Sequence, residues 1–105
     1  MLAVASAASG QPLDTDSADW MMQGCRGLTA DYQPTFRHGV CSGAIGALMV
    51  IGQQLPSGQR FCAPIGTTRV QAVRVVVAYI DQFPARLHEP FAMLAVEAMR
   101  RAWPC

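Results

Sequence analysis

The stretch TFRHGVCSGAIGALMVIGQQL, residues 35–55, decides the fold. Phe36, Val40, Gly43, Ala44, Ala47, Leu48 and Ile51 recur at spacings of three and four, the pattern of one apolar helix face. Val40 to Gly52 is apolar enough to raise a membrane span, but a spanning helix needs about 20 apolar residues and this run is shorter. It reads as a buried core helix. Gly39, Gly43 and Gly46 each cost about 1 kcal/mol relative to alanine in a helix interior. At that spacing they are expected to admit a neighbouring helix at close range rather than to form a ligand loop.

Three further helical segments are read outward from this one. The first opens near Thr15-Asp16-Ser17, any of which can cap a helix N-terminus, and runs through Trp20, Met21, Gly24 and Cys25 toward Gly27. Residues Gly27 to Pro34 connect it to the second. Pro56-Ser57-Gly58-Gln59 is a turn, and Phe61-Cys62-Ala63-Pro64 leads onward. Gly66-Thr67-Thr68 caps the third segment, Arg69 to about Phe83, with an apolar stripe of Val70, Val73, Val76, Val77 and Ile80. Val75-Val76-Val77 has strand propensity, yet length and spacing favour a helix. His88-Glu89-Pro90 opens the fourth, with Pro90 suited to the first helical position. Phe91, Leu94, Ala95, Ala98 and Ala102 line one face there, and Arg100-Arg101 sit in the last turn, where the helix dipole favours cations. Helices joined by short connections pack as antiparallel neighbours. The expected fold is all-α, a compact four-helix up-down array.

A chain of 105 residues makes one domain, and one this size buries only about two-thirds of the surface its unfolded chain exposes. Cys25, Cys41, Cys62 and Cys105 can staple it, as an even cysteine count does in an oxidising compartment. Cys41 lies early in the second helix and Cys62 beyond its end, about 20 Å apart or more at 1.5 Å per residue. A disulfide needs Cα atoms within about 7 Å, so that pairing is excluded. In an up-down array Cys25 meets Cys41 at one end, and Cys62 meets Cys105 where the third helix starts and the fourth ends. The expected bridges are Cys25–Cys41 and Cys62–Cys105.

Residues 1–14 read as the tail of a secretory signal or as a disordered N-terminus, and 15–105 as a single helical domain. Ala5-Ser6-Ala7 is a cleavage step of the A-x-A kind, although the basic region and the apolar run of a complete signal are not seen before it. Apolar residues make up 51% and charged residues 14%, which excludes a disordered chain. All eight basic residues are scattered arginines, and the pI is about 7.7, so nucleic acid is not an expected partner.

No catalytic constellation emerges. Two bridges would leave no thiolate to act as nucleophile. Ser42 in Gly39-Val40-Cys41-Ser42-Gly43 resembles a nucleophile elbow superficially, but that elbow needs a strand before the serine. His38 and His88 sit at no recognised zinc spacing and no C-x-x-C occurs, so no metal and no cofactor is expected. Asp14, Asp16 and Asp19 read as a solvated helix start, without the fixed glycine and glutamate of a calcium loop.

The ordered set Phe36-x-x-Gly39-x-Cys41-x-Gly43-x-x-Gly46, Phe61-Cys62-x-Pro64, the valine-rich helix to Tyr79-Ile80 and Pro84, His88-Glu89-Pro90 and Ala98-x-x-x-Ala102-Trp103-Pro104-Cys105 resembles the Rap/Tai-type immunity family of Gram-negative bacteria. The resemblance covers about Asp16 to Cys105. Family members tend to carry an aromatic where this chain has Ala44, which should alter local packing. The resemblance implies a periplasmic, non-enzymatic immunity protein whose cognate partner is a type VI secretion effector, a peptidoglycan amidase with a catalytic cysteine. It also implies occlusion of that enzyme's active-site cleft and, in many relatives, a homodimer.

An occluding protein needs exposed anchors on a rigid scaffold, and loops commonly carry them. The candidate is Pro84-Ala85-Arg86-Leu87-His88, with Arg86, Leu87 and His88 as partner-binding residues. Arg86 leads because arginine is enriched among binding hot spots; a plain connector with Arg86 solvated is the competing reading. Trp20 and Trp103 are expected in the core before an interface. The alternative functions are a small periplasmic acid-stress chaperone, an orphan family member binding another envelope partner, and a thiol enzyme using Cys25 or Cys105.

Overall fold

The computed structural model describes residues 14–30 and 35–105. Residues 1–13 of the candidate signal tail and 31–34 of the first connection lie outside the described residues; the first half of that connection, from Gly27, is helical through Ala30. Helix α1 spans Ala18–Ala30, α2 Phe36–Ile51, α3 Arg69–Ile80 and α4 Phe91–Ala102, with single 3-10 turns at Gly52–Gln54 and Pro84–Arg86. The array is four-helical and all-α, and no strand occurs among the described residues. The valine run Val75 to Val77 lies inside α3.

Local chemistry explains where each helix starts. Ser17 Oγ accepts the Trp20 N–H at 3.2 Å and opens α1. Thr35 Oγ1 accepts from the His38 N–H and opens α2. Thr68 and Gln71 form a reciprocal capping box at α3. Pro90 stands one position outside its expected place: it is the N-cap of α4, in extended backbone at ψ 129°. The cause is the following amide, whose Phe91 N–H is taken by the Asp16 carbonyl at 2.7 Å, while Pro90 pairs with Ser17 across an isolated bridge. Helix α3 stops at Ile80, short of Phe83, and the Phe83 N–H turns back onto the Ile80 carbonyl. After Ile51 the chain tightens into the 3-10 turn, where a Cβ on Gly52 would lie 2.6 Å from the Phe61 ring.

The core lies between the helices. Trp20, Met21, Met22, Ile45, Phe61, Val73, Val76, Ile80, Phe91, Leu94 and Met99 fill it. Trp20 is therefore a core residue, with the Arg37 guanidinium 4.9 Å over its ring, whereas Trp103 is half-buried at the edge. The α3 stripe is buried at Ala72, Val73, Val76 and Ile80; Val70, expected inside, is exposed. Ala102 is likewise exposed, and Met99 takes the inward place in the last turn of α4.

Helix α2 departs most from expectation. The face it buries is His38, Cys41, Ile45 and Gly46. Phe36, Gly43, Ala47 and Ile51 of the expected face are exposed, Phe36 at 79%. The helix is apolar nearly all round, so periodicity alone could not choose its inner side. Close helix approach does occur, but its glycines are on α1. A Cβ on Gly24 would lie 2.6 Å from the Arg37 carbonyl carbon, and one on Gly27 would collide with the His38 imidazole. Gly39 and Gly43 face open space, and Gly46 is covered by the Arg69 guanidinium.

Both expected disulfides are present. Cys25–Cys41 joins α1 to α2 with Cα atoms 5.3 Å apart, and Cys62–Cys105 joins the approach to α3 to the chain end, at 5.0 Å. The Cys62 N–H also donates to the Trp103 carbonyl at 2.8 Å, so a backbone bond accompanies the second bridge. The loops closed span 16 and 43 residues. On the chain-entropy account they contribute about 3 and about 4 kcal/mol.

Candidate functional site

The connection from α3 to α4 is built by short-range geometry first. The Phe83 ring packs on Tyr79, centroids 5.0 Å apart and tilted, and Pro84 opens the 3-10 turn. The Arg86 N–H donates to the Phe83 carbonyl and the Glu89 N–H to the Arg86 carbonyl, at 2.9 and 3.0 Å. Two successive turns thus fold residues 83–89 into a compact corner.

The Arg86 side chain holds that corner from the α4 side. Its Nε–H and Nη2–H donate to the two carboxylate oxygens of Glu89, each at 2.9 Å, and Nη2 also donates to Glu97 Oε2 at 2.8 Å. The guanidinium carbon lies 5.6 Å from the Phe83 ring centroid. The hydrogen bonds Arg86 donates to Glu89, and less so to Glu97, raise its pKa further above its already high ordinary value, against an opposing effect of burial. The Arg86 hydrogen bond in turn holds the Glu89 carboxyl below the usual carboxylate range.

Helix α1 holds the corner from the other side. The first N–H groups of a helix have no partner within it. Here the Ala18 N–H donates to the Glu89 carbonyl and the Asp19 N–H to the Leu87 carbonyl, both at 2.9 Å. The connection therefore serves as a backbone cap for α1.

Arg86, Leu87 and His88 share this corner but present themselves differently. His88 is exposed, and with Leu87, Asp14, Ser17 and Asp19 it lines a shallow recess. Leu87 is half-buried and packs against the core. Arg86 is also half-buried and is paired with two carboxylates of its own chain.

A second feature was not read from the sequence. An open, largely apolar groove of about 620 Å³ lies among α1, α2 and the start of α4, lined by Trp20, Met21, Phe36, Val40, Ala44 and Phe91 among others. Farther along α2, Val50 is 80% exposed and Ile51 44%. The one available signal was that no charged residue occurs between His38 and Ile51, too apolar a helix for one buried stripe.

Among the described residues no cysteine is free, and no three His, Cys, Asp or Glu side chains are grouped as metal ligands. Ser42 lies within α2, with no strand before it, and accepts a 3.4 Å hydrogen bond from Arg69. No helix of the described residues is long and apolar enough to cross a membrane. The family model described as Rap1a immunity proteins matches residues 7–105. No curated protein and no solved structure matches the chain.

Proposed function

The chain belongs to the Rap1a immunity protein family, and from that premise we propose that it is a periplasmic, non-enzymatic inhibitor of a type VI secretion effector, a peptidoglycan amidase whose active-site cleft it occludes. Membership itself carries the effector-immunity role; the target enzyme and compartment are the further step. Two disulfides support an oxidising compartment, since such bridges are rare in the cytosol.

The observation that carries the reading is the α3–α4 corner. His88 is exposed on a connection whose neighbouring carbonyls, Leu87 and Glu89, are both bonded to α1. An element that enters a cleft binds best when little order must be acquired on binding. In this reading His88 and Leu87 meet the effector and Arg86 belongs to the same binding corner. The test is titration of the chain into the amidase effector encoded beside its gene, following peptidoglycan hydrolysis with the wild type and with His88→Glu. Stoichiometric inhibition lost in the variant supports the site; no inhibition by either protein contradicts the function.

The reading includes a homodimer. Its support is the outer face of α2, where Phe36, Gly39, Gly43, Ala47 and Val50 are exposed and none carries a charge. Permanent interfaces are depleted in charge and resemble a core cut in half. The open space at Gly39 and Gly43 would let a second α2 approach closely. The chaperone alternative would use the same apolar surface, and client protection in acid would favour it.

A further inference from the structure

We infer that Arg86 is a positioning residue: it fixes the α3–α4 corner from inside the fold, and His88 rather than Arg86 is the side chain that meets the effector. The inference rests on the corner being the binding site.

Donor arithmetic comes first. A guanidinium has five N–H donors in a rigid fork. The Nε–H and the Nη2 group are committed to Glu89 and Glu97, and the guanidinium carbon lies over the Phe83 ring. A bidentate grip on a partner carboxylate would have to displace bonds of the same kind already made within the chain. Only the two Nη1 hydrogens are left for a partner, and they cannot form the planar fork without giving up a bond to Glu89 or Glu97.

The placement of the two acceptors gives the second argument. Glu89 closes the three-residue step Arg86–Glu89, within which only Leu87 and His88 lie. Glu97 is eleven residues on, in α4, and links the corner to a rigid helix. Meanwhile the carbonyls of Leu87 and Glu89 bond the first N–H groups of α1. His88 thus projects from a segment pinned on both flanks, by backbone to α1 and by the arginine fork to α4. Loss of the fork leaves the backbone bonds in place but lets the corner open more often. A binding-competent state populated for a smaller fraction of the time weakens apparent affinity by that fraction.

The test starts on the free protein. Amide hydrogen exchange is compared at Ala18, Asp19 and Glu89 in wild type, Arg86→Ala, Glu97→Gln, the double variant and Arg86→Lys, with Cys62 as a distant reference. The inference predicts about tenfold faster exchange at the three corner amides in both single variants, no further change in the double variant, and an unchanged Cys62. Arg86→Lys should recover only part of the protection, since an ammonium lacks the planar fork that grips Glu89 through both oxygens.

Binding to the catalytically inactive amidase encoded beside the gene is then measured. Arg86→Ala and Glu97→Gln should weaken it by a similar factor, again without addition in the double variant. If Arg86→Ala weakens binding while Glu97→Gln leaves both binding and exchange unchanged, Arg86 is a direct contact and the inference fails. It fails equally if corner exchange is the same in all proteins. If exchange quickens as predicted but neither these variants nor His88→Glu alters inhibition of the amidase, the internal fork stands and the binding site on this corner falls.

Discussion

The His38 imidazole of α2 occupies the space in which a side chain on Gly27 of α1 would begin. With Gly24 against the Arg37 backbone, this sets how closely the two helices approach, and Cys25–Cys41 locks them at that distance. Gly24→Ala and Gly27→Ala are therefore expected to destabilise the fold by about 1–3 kcal/mol through overpacking. Gly39→Ala, in open space, should not destabilise it, because alanine is the better helix former. Thermal unfolding of the three variants checks the contrast; equal losses at all three positions would refute the packing account.

The second disulfide ties the chain end to the entry of α3. Replacing Cys62 and Cys105 together by serine should lower stability by about 4 kcal/mol on the chain-entropy account, with α2 still bridged to α1. Denaturant unfolding reads the loss. In the native wild type neither bridge leaves a thiol for alkylation, and intact mass after iodoacetamide should be unchanged.

Corner order should depend on pH through Glu89. Its folded pKa is lowered by the Arg86 hydrogen bond, so its contribution is present above the ordinary glutamate value, about 4.3, and is lost as pH falls through the folded value. The charged neighbours are Arg86, which stays protonated throughout, together with Glu97 and His88. Protection of the Ala18 and Asp19 amides, corrected for intrinsic exchange rates, should fall in acid below the ordinary carboxylate range. Glu89→Gln should remove the part of that fall due to Glu89. Since Arg86 and Glu89 are about one-third exposed, added salt should weaken the effect.

The outer face of α2 makes a prediction of its own. If two copies meet there, Val50→Glu places like charges in an apolar interface and should convert the protein to monomer. Light scattering coupled to size exclusion gives the mass. A wild-type monomer at high micromolar concentration would contradict the dimer without touching the inhibitor reading.

Much of the scaffold was legible because its signals are local. Thr68 with Gln71 and Thr35 with His38 mark helix starts within four residues, and the cysteine pairing follows from helix rise and up-down order alone. The buried side of α2 was not legible, because a helix with Phe36, Ile45, Leu48 and Met49 around its circumference offers no polar face to exclude. Pro90 shifted by one position because a tertiary bond from Phe91 to Asp16 outweighed its preference for a helix start. At the candidate site, the loop and its residues were visible as a proline-bounded connection. The role of Arg86 was not, since its second acceptor, Glu97, is brought to it only by the packing of α4. The groove joins Trp20, Phe36 and Phe91 from three helices, a juxtaposition no single window of sequence contains.

The central claim, that this chain silences an amidase by covering its cleft, is tested most directly by peptidoglycan hydrolysis with the effector encoded beside its gene, titrated with the oxidised protein. The account predicts inhibition that is complete at one chain per enzyme, with affinity in the nanomolar range, about −12 kcal/mol. It also predicts an affinity at least tenfold weaker for a folded His88→Glu. Binding that leaves hydrolysis running, or no binding at all to that enzyme, would contradict it.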